Sequence, residues 1–291
     1  MFGLMSWLLF SSVVLMVGVW AGWSQRGKEK NPEQILLAGR NLNFCVGVLS
    51  SAATWAGGGA SIAAAQAVFS NGLLWSLAPV FYSLSLAVGG LLFASKMREA
   101  RYFTMMDPFT QKFGLWGSVL VIPAVLSEVI WCAAVLSSLG SVLHILLQLD
   151  QTASIVISAS LALAYTMLGG LLSVAYTDVV QVIFIIFGLF LALPFSLDHP
   201  AVSSLAEDVS QVWSSPVSRH QSGAWLDLSL VCLLGGIPWQ SYFQTVLASQ
   251  SAGQAVLLSC GGAIIALVTS GPALLLGATA GQPGNIWRRN N

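Results

Sequence analysis

Charge is what this sequence has least of. Asp, Glu, Lys and Arg together make up 8% of its 291 residues, against roughly a quarter in an ordinary globular domain. Its 11 basic and 11 acidic residues cancel, so nothing argues for a nucleic-acid partner. Cysteine is sparse too. Cys45, Cys132, Cys232 and Cys260 lie in or beside apolar runs. None stands in a C-x-x-C pair or at metal-ligand spacing, so they read as buried free thiols and not as a disulfide framework. Histidine is rarer still, and His144, His199 and His220 are scattered. No nucleophile elbow or acid pair falls within the apolar runs. Neither an enzyme nor a cofactor is expected.

What fills the chain is apolar side chain, 56% of it. A water-soluble fold of this size would leave much of that surface exposed. A bilayer removes the difficulty, and admits helices or closed barrels because each backbone group must be satisfied internally. The apolar runs are about 20 residues or longer and do not alternate as barrel strands do. The fold class is therefore all-α integral membrane. Eight spans are expected at about 4–23, 44–70, 73–95, 117–147, 153–174, 178–197, 224–247 and 255–280. The first lacks the basic flank and the small-x-small site of a signal peptide.

Basic residues give an orientation. Arg26, Lys28, Lys30 and Arg40 lie between spans one and two, and Lys96, Arg98, Arg101 and Lys112 between spans three and four. Both loops fall on one side, which the positive-inside rule makes cytoplasmic and which places the N-terminus outside. The loop at 198–223, with Asp198, Glu207 and Asp208 against Arg219, falls outside as well. Arg288 and Arg289 in the 281–291 tail sit on the wrong side for this rule. That is expected of a chain cut short or ending in foreign sequence; a small basic tail is the plain alternative.

Two spans are interrupted. Span two carries Ser50-Ser51-Ala52-Ala53-Thr54-Trp55-Ala56-Gly57-Gly58-Gly59, and span seven carries Gly235-Gly236-Ile237-Pro238-Trp239-Gln240-Ser241-Tyr242-Phe243-Gln244. Glycine holds a helix poorly. Proline removes an amide donor and clashes with the preceding turn. Unwound backbone at this depth occurs where it is buried in protein or lines a cavity, and broken helices build the midplane sites of many secondary transporters. Close packing of helices through small residues explains the glycines of span two equally well. Two breaks five spans apart fit two halves related by an inverted repeat.

The other costly residues are Glu128, Asp178 and Asp227, since carboxylates in hydrocarbon are functional candidates by default. Glu128 is deep in span four, three residues before Trp131. Asp178, where spans five and six meet, reads also as a solvated helix cap. Asp227 is near a span end, where a solvated role suffices. Most of the 11 tryptophans are near span ends or in loops, where aromatic belts form. Trp55, Trp131 and Trp239 are mid-span beside breaks or polar groups. Their faces suit a quaternary ammonium ion, at roughly 2 kcal/mol or more when desolvated, although buried Trp is more often plain packing.

The two interrupted segments, Pro79-x-x-Tyr82-Ser83-Leu84-Ser85-Leu86, and Leu168-Gly169-Gly170-Leu171-x-Ser173-Val174-Ala175-Tyr176-Thr177-Asp178-Val179-Val180-Gln181 come in one order. Together, from about residue 7 to residue 279, they resemble the choline-transporting members of the sodium/solute symporter family. That resemblance implies a LeuT-like inverted-repeat fold with one helix in front. It places the transmembrane domain at 1–280, the first repeat at about 44–197, the start of the second at about 224–280, and a divergent tail at 281–291. It implies sodium-coupled, chloride-dependent choline symport supplying acetylcholine synthesis, in the plasma membrane and synaptic vesicles of cholinergic neurons. Matched position by position, Trp55 and Trp239 cage choline, and Tyr82 and Trp131 flank the cage. Carbonyls near Ser50 and Ala53 face sodium, and Asp178 serves cation coupling.

Three departures qualify the match. The chain stops after eight spans, fewer than the family has, so a later helix with hydroxyls for the sodium site is missing, and no complete coupled cycle is expected of it. Ala60 stands where the family carries an aromatic. The Asn and Glu that follow in the family are replaced, by Ala and Gln66. A truncated form that associates with a full-length transporter, a homo-oligomer, and a related symporter with another substrate are the alternatives.

Overall fold

The computed structural model describes residues 2–25, 31–198, 202 and 217–280. Arg26, Lys28, Lys30, His199, Glu207, Asp208, Trp213 and the 281–291 tail lie outside the described residues. Helices account for almost everything else. They are α1 (Phe2–Trp23), α2 (Pro32–Leu37), α3 (Phe44–Trp55), α4 (Gly58–Asn71), α5 (Ala78–Gly89), α6 (Ser95–Glu99), α7 (Asp107–Phe113), α8 (Leu115–Val119), α9 (Val121–Leu147), α10 (Gln151–Leu197), α11 (Ser222–Gly236), α12 (Gln240–Leu247) and α13 (Ala252–Ala280). A π-helical turn at Gly90–Ala94 joins α5 to α6.

Among the described residues six helices are long and apolar enough to cross a membrane, where eight spans were expected. The difference lies in two places. The 44–70 segment is two short helices, α3 and α4, parted at Ala56–Gly57. The segments at 153–174 and 178–197 are one element, α10, of 47 residues. At 1.5 Å per residue a straight helix of that length would reach about 70 Å, more than twice the roughly 30 Å of hydrocarbon. It is not straight. Gly170 takes φ 55°, ψ −146°, a conformation essentially confined to glycine. A Cβ there would meet the Ile35 carbonyl oxygen at 2.5 Å. Helix α1 touches both sides of this bend, with Gly18 against Tyr165 on one arm and Ser173 on the other. The Ser173 hydroxyl donates to the Gly18 carbonyl at 2.6 Å. Trp20 meets Tyr176 and Phe10 meets Phe184 edge-on, so α1 runs antiparallel to the second arm.

Two expectations need correction. The turn between spans five and six is at Gly170, and Asp178 lies two turns beyond it, inside the helix and not at its cap. The polar run around Asp178 looked like a boundary because its hydrogen-bond partner is distant in sequence. The cysteines are free, but only Cys232 is buried, while Cys45 and Cys132 are exposed. An apolar neighbourhood in sequence does not say which face of the helix a residue occupies.

The core forms where α3, α5, α12 and α13 meet. Trp55, Leu86, Tyr242, Phe243, Val246 and Leu258 are buried there, with Tyr82 and Trp239 packed against them. Helix α13 presents small buried residues, among them Ala255, Ser259, Ala263, Ala266 and Ala273, which let helix backbones approach closely in a membrane. At one end of the bundle the basic loops meet. Arg40, buried, binds Glu33 at 2.5 Å and donates to the carbonyls of Arg101, Tyr102 and Leu247. Arg98 donates to Ser249 and Gln250 carbonyls. Loops far apart in sequence thus share one end of the molecule.

Candidate functional site

Both interrupted spans are broken where their sequences suggested. Helix α3 closes with the Ala56 amide bonded to the Ala52 carbonyl at 2.8 Å. Gly57 is then extended (φ −64°, ψ 162°) and α4 starts at Gly58. Carbonyls after Ala52 therefore lie past the last hydrogen bond of α3, as at any helix end. In the other span α11 ends at Gly236, Trp239 is extended (φ −77°, ψ 123°), and α12 starts at Gln240. Pro238, with no N–H to give, cannot continue the ladder of α11.

A tryptophan stands at the edge of each break. Trp55 is the last residue of α3, and Trp239 is the residue that precedes α12. Their ring centroids are 5.7 Å apart and tilted by 53°. Tyr82, from α5, stacks on Trp55 at 4.3 Å and 17°. Trp131, from α9, meets Trp239 edge-on at 5.8 Å and 79°. Four rings from four elements thus form a continuous series, Tyr82–Trp55–Trp239–Trp131. Close approach of α11 to α5 makes this reachable: a Cβ on Gly236 would lie 2.2 Å from Ser85 Oγ and 3.2 Å from the Tyr82 ring. The Trp55 indole nitrogen is buried with no hydrogen-bond partner among the described residues, an uncommon state for a buried indole. Ser51 Oγ, one turn earlier on α3, is likewise buried and unpartnered.

A second polar group lies further back along α3. The buried Ser50 hydroxyl donates to Asp178 Oδ2 at 2.5 Å, joining α3 to the second arm of α10 across 128 positions of sequence. Ala53 sits one turn further along α3, ahead of the break, and is not bonded to Asp178.

Two contacts were not anticipated from the sequence. Ser241 Oγ donates to Glu128, at 3.2 Å and 3.3 Å from its two oxygens. Gln240 Oε1 accepts from the Met105 amide at 2.9 Å and so fastens the start of α12 to the loop before α7. The available signal was position alone: Gln240 and Ser241 immediately follow Trp239.

Broken membrane helices with aromatic faces and buried polar groups at the breaks are the arrangement from which many secondary transporters build their sites. The sequence comparisons agree. Residues 35–258 match the model of the Sodium:solute symporter family, and the chain belongs to that family. It is 43% identical over 287 residues to the High affinity choline transporter 1 of Homo sapiens, covering 95% of this chain and 50% of that protein. Identity to the High-affinity choline transporter 1 of Drosophila melanogaster is 40% over 279 residues, with 96% and 45% covered. A Sodium/glucose cotransporter of Vibrio parahaemolyticus is 26% identical over 200 residues, with 65% and 35% covered. The chain spans about half the length of the choline transporters it matches.

Proposed function

We propose that this chain carries the choline-binding part of a sodium-coupled choline symporter. The series Tyr82–Trp55–Trp239–Trp131 supports the reading most directly. Choline's quaternary ammonium head has no N–H to donate, so a carboxylate cannot hold that charge by hydrogen bonds. Aromatic faces hold it through the ring quadrupole. Trp55 and Trp239 form the centre of the cage, Tyr82 backs Trp55, and Trp131 closes the far side. The free Trp55 indole N–H is a donor for the choline hydroxyl oxygen.

Sodium coupling is assigned to the Ser50–Asp178 pair and to carbonyls freed at the end of α3, Ala53 among them. Sodium is a hard cation and takes oxygen ligands, which these groups supply. Chloride dependence, the LeuT-like repeat, a role in acetylcholine synthesis, residence in the plasma membrane and synaptic vesicles, and an external N-terminus belong to the same proposal and rest on family likeness. The meeting of the two basic loops at one end of the bundle supports the orientation.

The test is binding of radiolabelled choline to the chain in lipid nanodiscs, in sodium and in potassium media. Saturable binding that sodium strengthens is expected, and Trp55→Leu should weaken it. Normal binding by that variant would sink the cage assignment.

A further inference from the structure

Glu128 is unexplained by the fold. It is the sole Asp, Glu, Lys or Arg in the 27 residues of α9, at a position within a membrane-length helix, where a carboxylate is costly to place. Among the described residues the single salt bridge is that of Arg40 and Glu33, so no lysine or arginine neutralises Glu128. Its partner is a neutral hydroxyl, Ser241 Oγ.

The location of that pair is informative. Ser241 is two residues after Trp239, and Glu128 is one helical turn before Trp131. The two tryptophan rings themselves touch, edge to face. The carboxylate is therefore held against the same two elements that supply one side of the aromatic series. Aromatic faces already favour a cation over a neutral molecule of the same shape, but through an attraction confined to direct contact with the ring. A fixed negative charge nearby acts on the cation alone and reaches further.

We infer that Glu128 adds charge discrimination to the aromatic site: held by Ser241 beside Trp131 and Trp239, it further favours a cationic ligand over a neutral one of equal shape. The inference rests on the choline reading. Glu128 is placed one turn from the rings, so it acts through space on the bound cation, and Ser241 positions it.

The probe is a pair of ligands with the same outline, choline and its neutral carbon isostere 3,3-dimethylbutan-1-ol. Each is titrated against the chain in nanodiscs, with tryptophan fluorescence as the readout. A unit charge about 8–10 Å from the cation, at an effective dielectric near 20, changes affinity about fifteenfold to thirtyfold. Glu128→Gln should therefore lower the preference for choline over the isostere by about that factor, with isostere affinity unchanged. Ser241→Ala, which leaves the charge but frees it, should lower the preference about twofold to threefold. A Glu128→Gln chain that binds choline with the parent's preference overturns the inference, and so does equal weakening of both ligands. If the Gln variant does not fold, Ser241→Ala decides, and an unchanged ratio in that variant refutes the assignment. A parent chain that binds no choline refutes the choline reading itself, a separate outcome.

Discussion

Replacing Trp239 is the sharpest test of the cage, because its ring is the link between Trp55 and Trp131. Two effects must be separated. Each ring pair contributes about 0.5–1.5 kcal/mol beyond area burial, so removing Trp239 loses two pairs and about 1–3 kcal/mol of fold stability. A desolvated cation–π contact is worth about 2 kcal/mol, equivalent to about thirtyfold in dissociation constant. Trp239→Leu should therefore lower the thermal midpoint and weaken choline about thirtyfold. Trp239→Phe keeps a smaller face and should lose about threefold to tenfold on the same scale. The assay is choline titration by fluorescence of the remaining tryptophans, done well below the melting midpoint of each variant. The graded order Trp, Phe, Leu is the diagnostic result, since a pure packing defect would follow side-chain volume and affect the neutral isostere as much as choline. A Leu variant within threefold of the parent would mean that Trp239 does not touch the cation.

Three further outcomes follow from other parts of the structure. Asp178→Asn removes the charge that Ser50 contacts; choline binding in potassium should persist, while the sodium concentration needed for half-maximal stimulation rises about tenfold. An unchanged sodium curve would exclude Asp178 from coupling. Gly170→Ala places a side chain at φ 55°, ψ −146° and should destabilise the protein by about 1–3 kcal/mol from backbone strain alone, seen as a lower melting midpoint on size-exclusion analysis; an unshifted midpoint would argue against this bend. Arg40→Lys keeps the charge but lacks the fork that reaches Glu33 and three carbonyls. It should open the loop end to limited proteolysis while sparing choline affinity, and parent-like protease resistance would show that the fork contributes little.

Much of the fold was legible because the bilayer simplifies the code. Apolar runs of sufficient length, interrupted by glycine or proline, marked α3–α4 and α11–α12 as broken elements, and both are broken at those residues. The bend of α10 was misplaced. Its signal was the Gly169-Gly170 pair inside an apolar run, but a polar stretch eight residues later looked more like a loop. Hydropathy averages over neighbours in sequence and cannot register that Ser50 meets Asp178 across 128 positions. The aromatic series was legible only in part. Trp55, Trp131 and Trp239 stood out as mid-span residues, yet their adjacency and the place of Tyr82 depend on how helices face one another. Composition could not supply that, and family likeness did. The contact of Ser241 with Glu128 was not legible because a serine in a helix ordinarily bonds to its own backbone.

The end of the molecule opposite the breaks has a mechanical meaning. The Leu42 amide bonds to the Ala248 carbonyl at 3.0 Å, within a short parallel bridge between Leu42 and Ser249, and Arg40 grips the Leu247 carbonyl beside it. The strand-like residues that enter α3 and those that leave α12 are thus stitched together backbone to backbone. Half of each broken helix is pinned to the other at its far tip, like the two blades of shears at their rivet. The far tips of α3 and α12 are thereby fixed to each other, so Trp55 and Trp239 belong to one tied pair of half-helices, separated from α4 and α11 by the breaks at Ala56–Gly57 and Ile237–Trp239.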